Sequence, residues 1–475
     1  MTTKSKIFKD SIIVNSASLV EKVLFFLLNI IIARYLSVEH FGEYSTALGY
    51  ATFFSLMTDI GINVTLIRAL NLENDHENEH FTNAFYLKLL LSVGLYIVMA
   101  LSLLLTGYNR DVINLTLILG LVRIGNEFMK TYYAVDEAKQ RFLFPSIVNS
   151  IYVLLFFVGV IGVILIHGNY YHICLIRLVI VYLFIAFLSA HIFKKRRFSF
   201  KKNLFVEFIK DAIPFAIIAV LSNLTFRINA IIISLLLDTT KVGFFSNSIL
   251  FIDTISIIPI NLRRIVMPAL YSALEKGEES KFQFSFDIMS KYFGIVSFYI
   301  MIILFLYSEF IIRTVFGSKY LESAVLLKII SFSVIFVFNI ASMILVGKDR
   351  QSILSKIMFF ATIMNIVANI VFINIFDVKG AAIATTLTYG VIFFMSHYYL
   401  RKIESIKMIP AFKNYIIMSA IALAVFLIFE FLNYKRLSVY SSFAVVTFAY
   451  GLLSITFLMG KDDIRIVKEM LGLKK

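Results

Sequence analysis

The chain has 475 residues, of which 60% are hydrophobic and only 16% are charged, and its mean hydropathy is +0.87. Ordinary soluble domains carry about 25% charged residues, so this composition excludes a water-soluble fold. The net charge of +15 would point to nucleic acid in a soluble protein. Lys and Arg collect in the cytoplasmic loops of membrane proteins, however, and we expect no nucleic-acid partner. Cys174 is the only cysteine, which excludes an intrachain disulfide and a cysteine metal cluster.

Hydrophobic runs long enough to cross a bilayer recur along the chain and predict about fourteen transmembrane helices. The predicted spans are 11–33, 41–67, 83–106, 112–134, 143–167, 171–193, 208–237, 243–268, 285–312, 323–347, 352–376, 378–400, 411–432 and 437–459. A basic run at 194–197 separates the first six spans from the second six. The sequence therefore predicts an all-α polytopic membrane protein with an N-lobe at 1–200, a C-lobe at 201–405, and a final span pair with a tail at 406–475.

An even number of spans places both termini on the same side of the membrane. If the N-terminus lies in the cytoplasm, the inner loops hold about 24 Lys and Arg residues and the outer loops about 8. Loops on the cytoplasmic side collect positive charge. This bias predicts that both termini are cytoplasmic.

Two pairs of similar stretches indicate an internal duplication. The stretch 41–45 (Phe-Gly-Glu-Tyr-Ser) resembles 242–246 (Val-Gly-Phe-Phe-Ser), and 60–63 resembles 258–261. Each copy has six spans, so the copies run parallel, as in secondary transporters that hold substrate between their halves. Gly61 and its repeat partner Pro259 are candidates for a hinge pair, and we expect a helix kink at Pro259.

Four basic side chains lie within predicted spans, where a charge at the centre costs about 2.5–3.5 kcal/mol. They are Lys22 in span one, Arg123 in span four, Arg177 in span six and Arg227 in span seven. Such residues are kept when they face a watery cavity or a charged cargo. An arginine can also bond two phosphate oxygens at once. These four residues are our candidates for a cationic substrate site.

Three acidic residues within the spans, Glu21, Glu127 and Asp253, are candidates for coupling transport to an ion. Glu127 lies one helical turn after Arg123, so it either neutralises that arginine as an i, i+4 pair or acts in coupling. Asp253 and Arg227 each lack an opposite charge nearby in the sequence.

Motifs for catalysis and cofactor binding are missing from the sequence. It contains no phosphate-cradling glycine loop, no Gly-x-Ser-x-Gly and no His-Glu-x-x-His. The predicted outer loops are too short for the catalytic loop of a polysaccharide polymerase. We therefore expect a protein that is not an enzyme and that needs no metal or cofactor.

The opening of the chain carries a family resemblance. The stretch 33–44 (ARYLSVEHFGEY), followed by 59–63 (DIGIN) and 66–68 (LIR), is similar to the opening motif of the polysaccharide flippases. These flippases belong to the multidrug/oligosaccharidyl-lipid/polysaccharide (MOP) exporter superfamily. Three later stretches of this chain also resemble segments of the family, at 138–142, 316–320 and 379–384. The resemblance implies a MATE-like fold in which two six-helix lobes alternate access around a central cationic cavity.

The resemblance also implies a function. The protein would flip an undecaprenyl-diphosphate-linked oligosaccharide, an O-antigen or capsule repeat unit, across the bacterial inner membrane. Its partners would be this lipid-linked substrate, membrane lipids and other polysaccharide assembly proteins. Two alternatives stay open: a multidrug or cation antiporter of the same superfamily, and an integral-membrane polysaccharide polymerase or ligase. The buried arginines disfavour the first, and the short outer loops disfavour the second.

Overall fold

The computed structural model describes residues 3–72, 76–193, 198–206, 209, 227–347, 351–404, 406–434, 437–460 and 463. Its regular secondary structure in these ranges is helical. Twelve described helices are long and apolar enough to cross a membrane, and a bent pair adds a thirteenth if it counts as one span. The all-α polytopic fold predicted from the sequence is confirmed. The predicted seventh span falls largely outside the described residues, as do the basic run at 194–197 and the predicted tail beyond 463.

The helices of the first half begin and end close to the predicted span limits. They are α1 (Thr3–Tyr35), α2 (Val38–Leu56), α3 (Ile62–Leu72), α4 (Glu77–Leu103), α5 (Arg110–Ala138), α6 (Leu143–Leu165) and α7 (Tyr170–Phe193). The described part of the next span, α8, is Arg227–Leu236. Side-chain caps explain two of the helix starts: Ser37 accepts the His40 N–H ahead of α2, and Asn109 accepts the Val112 N–H ahead of α5.

The second half contains shorter helices as well as long ones. They are α9 (Thr239–Ile255), α10 (Ile257–Glu275), α11 (Glu279–Leu306), α12 (Ser308–Val315), α13 (Glu322–Ser331), α14 (Ser333–Val337), α15 (Ile340–Gly347), α16 (Gln351–Phe376), α17 (Val378–Glu404), α18 (Ile409–Tyr434) and α19 (Val439–Leu458). The predicted span 323–347 is therefore not one straight helix, and its two parts are bent by 43°.

Spans two and eight are both interrupted near the predicted hinge residues. Between α2 and α3 the chain forms a 3-10 turn at Met57–Asp59 and passes through Gly61 at φ +76°. Only glycine adopts this conformation without strain. Span eight breaks at Ser256, and Pro259 is the third residue of α10. Pro259 thus lies in the first turn after a break and not inside a continuous helix. A proline is tolerated in the first turn because its missing N–H would have no helical acceptor there.

Contacts divide the chain into two compact units. The first comprises Met1–Thr254, Ile312–Ser323 and Met358–Thr385, and the second comprises Ile255–Ile311, Ala324–Ile357 and Thr386–Lys475. These units do not follow the division at residues 200 and 405, which stays a prediction.

In the first unit, α5 is the central helix. It packs against α2, α3, α4 and α7, while α1 packs on α6. The side chains of its Val112, Leu115, Leu119 and Val122 are almost wholly buried. This apolar stripe holds α5 in one rotation, which decides where its charged side chains point.

In the second unit, α11 packs on α18, and α18 packs on α19. The Tyr307 hydroxyl lies 2.9 Å from the Ser442 hydroxyl, and Tyr450 donates to the Ile295 carbonyl at 2.7 Å. Each contact satisfies a polar group that would otherwise be left without a partner among apolar helices.

Candidate functional site

A cavity of about 350 Å³ lies wholly within the first unit. Its walls come from α1, α2, α5, α6 and α7 in the first half of the sequence and from α8 and α9 in the second. Ligand sites commonly measure roughly 300–1,000 Å³. The cavity is therefore large enough for a small headgroup, and both predicted halves of the chain contribute to it.

Three arginines line this cavity: Arg123 from α5, Arg177 from α7 and Arg227 from α8. The positive charge of Arg123 is repelled by those of Arg177 and Arg227, so the three guanidinium groups are close enough to interact electrostatically. The Nε atoms of Arg123 and Arg177 are buried and form no hydrogen bond within the described residues. A buried guanidinium with an unused donor is costly. Within the described residues, these two Nε atoms have no acceptor of their own.

One carboxylate accompanies the three arginines. Asp253 of α9 lines the cavity, and its Oδ2 lies 3.5 Å from the Nη1 of Arg227. The sequence showed no opposite charge near either residue, because they come together only through the packing of α8 against α9. With three guanidinium groups and one carboxylate, the described lining carries a formal charge of +2.

Polar and aromatic groups complete the walls. Arg177 lies over the ring of Phe156, with its guanidinium carbon 4.8 Å from the ring centroid, and is only 6% exposed. This contact holds the guanidinium in place from one side. Hydroxyl and amide groups that can bond a polar ligand also line the cavity, and they belong to Asn29, Tyr44, Ser45, Thr52 and Ser246.

Lys22 and Glu21 lie on α1 but are not among the residues that line the cavity. Glu21 accepts hydrogen bonds from Asn149 at 2.7 Å and from Ser150 at 2.9 Å, both on α6. Its carboxylate therefore ties α1 to α6. Of the four predicted cationic residues, the structure brings together Arg123, Arg177 and Arg227, and it leaves Lys22 outside.

Glu127 faces away from the arginines and belongs to a buried ionic cluster. Its carboxylate lies 2.7 Å from the Lys130 Nζ and 3.8 Å from the Lys88 Nζ. Lys88, which is 0% exposed, also lies 3.3 Å from Asp59 and donates to the Thr131 hydroxyl at 2.9 Å. Glu127 thus pairs with two lysines, and the described ion pairs include none between Glu127 and Arg123.

Sequence reasoning missed Lys88, although it is a lysine inside an apolar run. Its position near the start of the predicted span 83–106 is compatible with a side chain that reaches the headgroups. The structure instead buries it, because α4 begins at Glu77 and places Lys88 three turns into the helix. Lys88 links α4 to α5 and to the turn before α3.

A second buried polar cluster lies beside α8. Asn229 donates to the Thr385 hydroxyl at 2.9 Å and accepts from the Asn369 amide at 3.0 Å. Asn369 also donates to Asn365 at 3.1 Å, and these amides are at most 1% exposed. The cluster joins α8 to α16 and α17 next to Arg227.

The repeat-related stretches touch each other. A Cβ at Gly243 would lie 3.2 Å from the Gly42 Cα, and a Cβ at Gly42 would lie 2.9 Å from the Thr240 Cα and overlap the Thr239 carbonyl. Nearby, Lys319 donates to the Arg34 carbonyl at 2.9 Å, and Tyr320 donates to the Ala33 carbonyl at 2.8 Å. The starts of α2 and α9 are therefore in close contact at one end of the cavity-bearing unit.

These observations agree with what comparisons with known proteins show. Residues 7–277, more than half of the chain, match the model of the family described as "Polysaccharide biosynthesis protein". The chain belongs to this family. An uncharacterised membrane protein of Methanocaldococcus jannaschii, MJ1068, is 27% identical over 154 residues. That match covers 32% of this chain and 30% of the relative, so the chain spans less than a third of that relative's length.

Solved structures show the same fold over most of the chain. A structure of the lipid II flippase MurJ in an inward closed conformation is 15% identical, with a TM-score of 0.76, and covers 94% of this chain and 98% of MurJ. An inward-facing multidrug resistance MATE transporter of the MOP superfamily is 12% identical, with a TM-score of 0.64. The match covers 81% of this chain and 94% of the transporter. The predicted MATE-like fold is confirmed, and the family model confirms the predicted resemblance to polysaccharide biosynthesis proteins.

Proposed function

We propose that this membrane protein flips an undecaprenyl-diphosphate-linked oligosaccharide, such as an O-antigen or capsule repeat unit, from the cytoplasmic to the outer leaflet. The observation that carries this proposal is the cavity with three arginines and one carboxylate. The family of the chain is named for polysaccharide biosynthesis, and a protein of the same fold, MurJ, is named as a flippase of lipid II.

A diphosphate suits this cavity for electrostatic reasons. The lining carries two excess positive charges, which attract an anion. The attraction is strongest at the buried Arg177, because Arg227 and Asp253 are 52% and 40% exposed and therefore partly hydrated. The guanidinium fork bonds phosphate oxygens in pairs, and Arg123 and Arg177 each keep a buried donor unused. The bound diphosphate would accept hydrogen bonds from the guanidinium groups of Arg123 and Arg177, while Arg227 would divide its interaction between the cargo and Asp253.

The size of the cavity limits what it encloses. A volume of about 350 Å³ holds a headgroup but not a polyprenyl chain together with an oligosaccharide. We infer that the polyprenyl tail stays in the bilayer while the diphosphate and its attached sugars cross. The breaks at Gly61 and before Pro259 are the positions at which we expect spans two and eight to bend during alternating access.

Asp253 is the coupling candidate that the cavity favours. Its carboxylate already lies 3.5 Å from a guanidinium group of the proposed cargo site. A diphosphate that binds Arg227 competes with this carboxylate and favours its protonation or its binding of a cation. Glu21 and Glu127 are held by other partners. We therefore assign these two carboxylates a structural role in helix packing rather than a role in ion coupling.

The charge bias of the loops supports a cytoplasmic membrane with both termini inside. Single cysteines introduced at residues 4 and 468, in a chain whose own Cys174 is buried, provide a test. An impermeant thiol reagent added to intact cells should leave both unmodified and should modify both after lysis. Modification of either residue in intact cells would reverse the orientation.

The central experiment is complementation of a strain that lacks the gene. Arg123→Gln combined with Arg227→Gln should abolish surface polysaccharide at equal protein level, because each charged hydrogen bond contributes about 1.5–3 kcal/mol, or tenfold or more in affinity. Arg110→Gln, on the exposed start of the same helix α5, is the matched control and should complement fully. Normal surface polysaccharide from the double variant would refute the cavity assignment.

The likeness to MATE transporters favours one second candidate, export of a small molecule. Organic cations would be repelled by a lining that carries three arginines and one carboxylate. Drug-sensitivity assays on the deletion strain separate the two functions. Unchanged drug sensitivity together with lost surface polysaccharide supports the flippase. Increased drug sensitivity together with normal surface polysaccharide supports drug export.

A further inference from the structure

The second unit contains a larger crevice that the transport cycle described above does not use. Its volume is about 840 Å³, and it lies between the last turns of α17 and the first turns of α18. The short connection at 406–408 closes one end. The crevice lies at the boundary of two predicted spans, on the side where the loops are basic, which is the depth of lipid headgroups.

The mouth of the crevice is cationic. Arg401, Lys407 and Lys413 all line it, and all three are exposed. None of its described lining residues is acidic. Basic pockets between transmembrane helices attract anionic lipid headgroups, and each Lys or Arg near the surface contributes about fivefold in affinity.

The walls of the crevice are apolar and aromatic. Phe394 and Phe412 stack with their rings 9° from parallel and their centroids 6.5 Å apart. Ile409 is 81% exposed and Ile416 is 71% exposed. A small water-soluble anion would leave this apolar surface uncovered, whereas an acyl chain would cover it.

A buried histidine points to a ligand independently of these charges. His397 is 2% exposed and lines the crevice one helical turn before Arg401. Its Nδ1 lies 2.8 Å from the Phe393 carbonyl, and its Nε2 is buried without a hydrogen-bond partner in the described part of the chain. A ligand with polar groups just below its anionic head would supply the missing partner.

The connection that closes one end of the crevice is already fixed in place. The Gln283 side chain of α11 donates to the Lys407 carbonyl at 2.9 Å and accepts from the Lys407 N–H at 2.9 Å. This double hydrogen bond holds the connection between α17 and α18 against α11. The backbone of Lys407 is therefore fixed before any ligand binds, so binding does not have to order this connection.

From these four observations we propose that the crevice is a binding site for an anionic glycerophospholipid of the surrounding membrane. Its phosphate would contact Arg401, Lys407 and Lys413, and its glycerol region would reach His397. Its acyl chains would lie along Phe394, Phe412 and Ile416. The site is separate from the arginine cavity and does not depend on the proposed cargo.

Native mass spectrometry of the purified full-length chain tests this proposal. Phosphatidylglycerol should bind at least about tenfold more tightly than phosphatidylcholine with the same acyl chains. The triple variant Arg401→Gln/Lys407→Gln/Lys413→Gln should lose this preference. The matched control, Lys202→Gln/Lys281→Gln/Lys356→Gln, removes three exposed charges elsewhere and should keep it.

A filling variant keeps the test independent of the charge changes. Ile416→Trp retains every cation but occupies the crevice, so phosphatidylglycerol binding should fall as in the triple variant. The proposal is overturned if the wild-type protein binds both lipids equally or if the two triple variants weaken binding alike. It is also overturned if excess inorganic phosphate displaces the lipid, which indicates a free-anion site, or if a polyprenyl diphosphate displaces it at lower concentration.

Discussion

Replacing Lys88 with methionine tests the buried ionic cluster directly. The substitution keeps an unbranched side chain of nearly the same length and removes one charge from a site that is 0% exposed. Asp59 would lose a partner at 3.3 Å and Glu127 one at 3.8 Å, together with a hydrogen bond from Lys88 to Thr131. Breaking a buried ion pair by removing one partner costs about 3–5 kcal/mol.

Two features place the expected cost near the lower end of that range. Glu127 keeps Lys130 at 2.7 Å, and the Asp59 side chain is 25% exposed and so partly hydrated. We expect a loss of about 3 kcal/mol, which lowers the unfolding temperature of this 475-residue chain by about 3 °C at roughly 1 °C per kcal/mol. Replacing Asp59 with asparagine in the same chain should recover part of this loss, because Lys88→Met removes the described ion-pair partner of that carboxylate.

Cys174 makes the measurement simple. It is the only cysteine and is 0% exposed, so a dye that fluoresces on reaction with thiols reports unfolding during a thermal ramp. Lys130→Met is the control: its side chain is 55% exposed and contacts the same Glu127, so we expect a loss of less than about 1 kcal/mol. Equal unfolding temperatures for the Lys88 and Lys130 variants would refute the assignment of Lys88 as the buried anchor.

Three further outcomes are expected. Gly42→Ala pushes a Cβ into the backbone at the start of α9 and should lower the unfolding temperature by about 1–3 °C, whereas Gly94→Ala, with open space at its Cβ, should not lower it. Asn109→Ala removes both the α5 cap and the 2.6 Å hydrogen bond to buried Glu43, for a cost of about 2 kcal/mol in the same assay. Burial opposes ionisation of Asp463, but hydrogen bonds from Lys291 and from the Gly460 N–H hold its pKa below the ordinary value of 3.8. This contact therefore holds Asp463 against α11 fully above pH 3.8 and is lost as the pH falls through the lower folded pKa. Pepsin digestion should release the tail only below about pH 3.8 in the wild type, and at every pH tested in Asp463→Asn; release of both at the same pH would contradict this reasoning.

The spans could be predicted because bilayer thickness dictates the length of an apolar run. The predicted spans 143–167 and 352–376 differ by at most two residues at either end from α6 (Leu143–Leu165) and α16 (Gln351–Phe376). The interruptions near Gly61 and Pro259 were marked by the residue types that a break requires. The bend in 323–347 was not, because no proline or glycine lies at Phe332 between its two parts.

The site was only half visible in the sequence. A charge in an apolar run is visible as an anomaly, which is how Arg123, Arg177 and Arg227 were found. The partner of each charge depends on the rotation of its helix and on which helix packs beside it. For this reason Lys22 does not line the cavity as predicted, and Arg227 forms an ion pair with Asp253 that the sequence did not indicate.

The sequence by itself determined that this chain is a helical membrane protein with basic residues in its spans, because both properties follow from the energy of placing a side chain in lipid. The tertiary structure alone decided which of these charges share a cavity and which neutralise one another. Glu127 shows the difference: it lies one turn from Arg123 along α5, yet its described ion pairs are with Lys130 of the same helix and with Lys88 of a neighbouring helix. Distances of a few ångströms between helices set the strength of an ion pair, and spacing along one helix does not determine them.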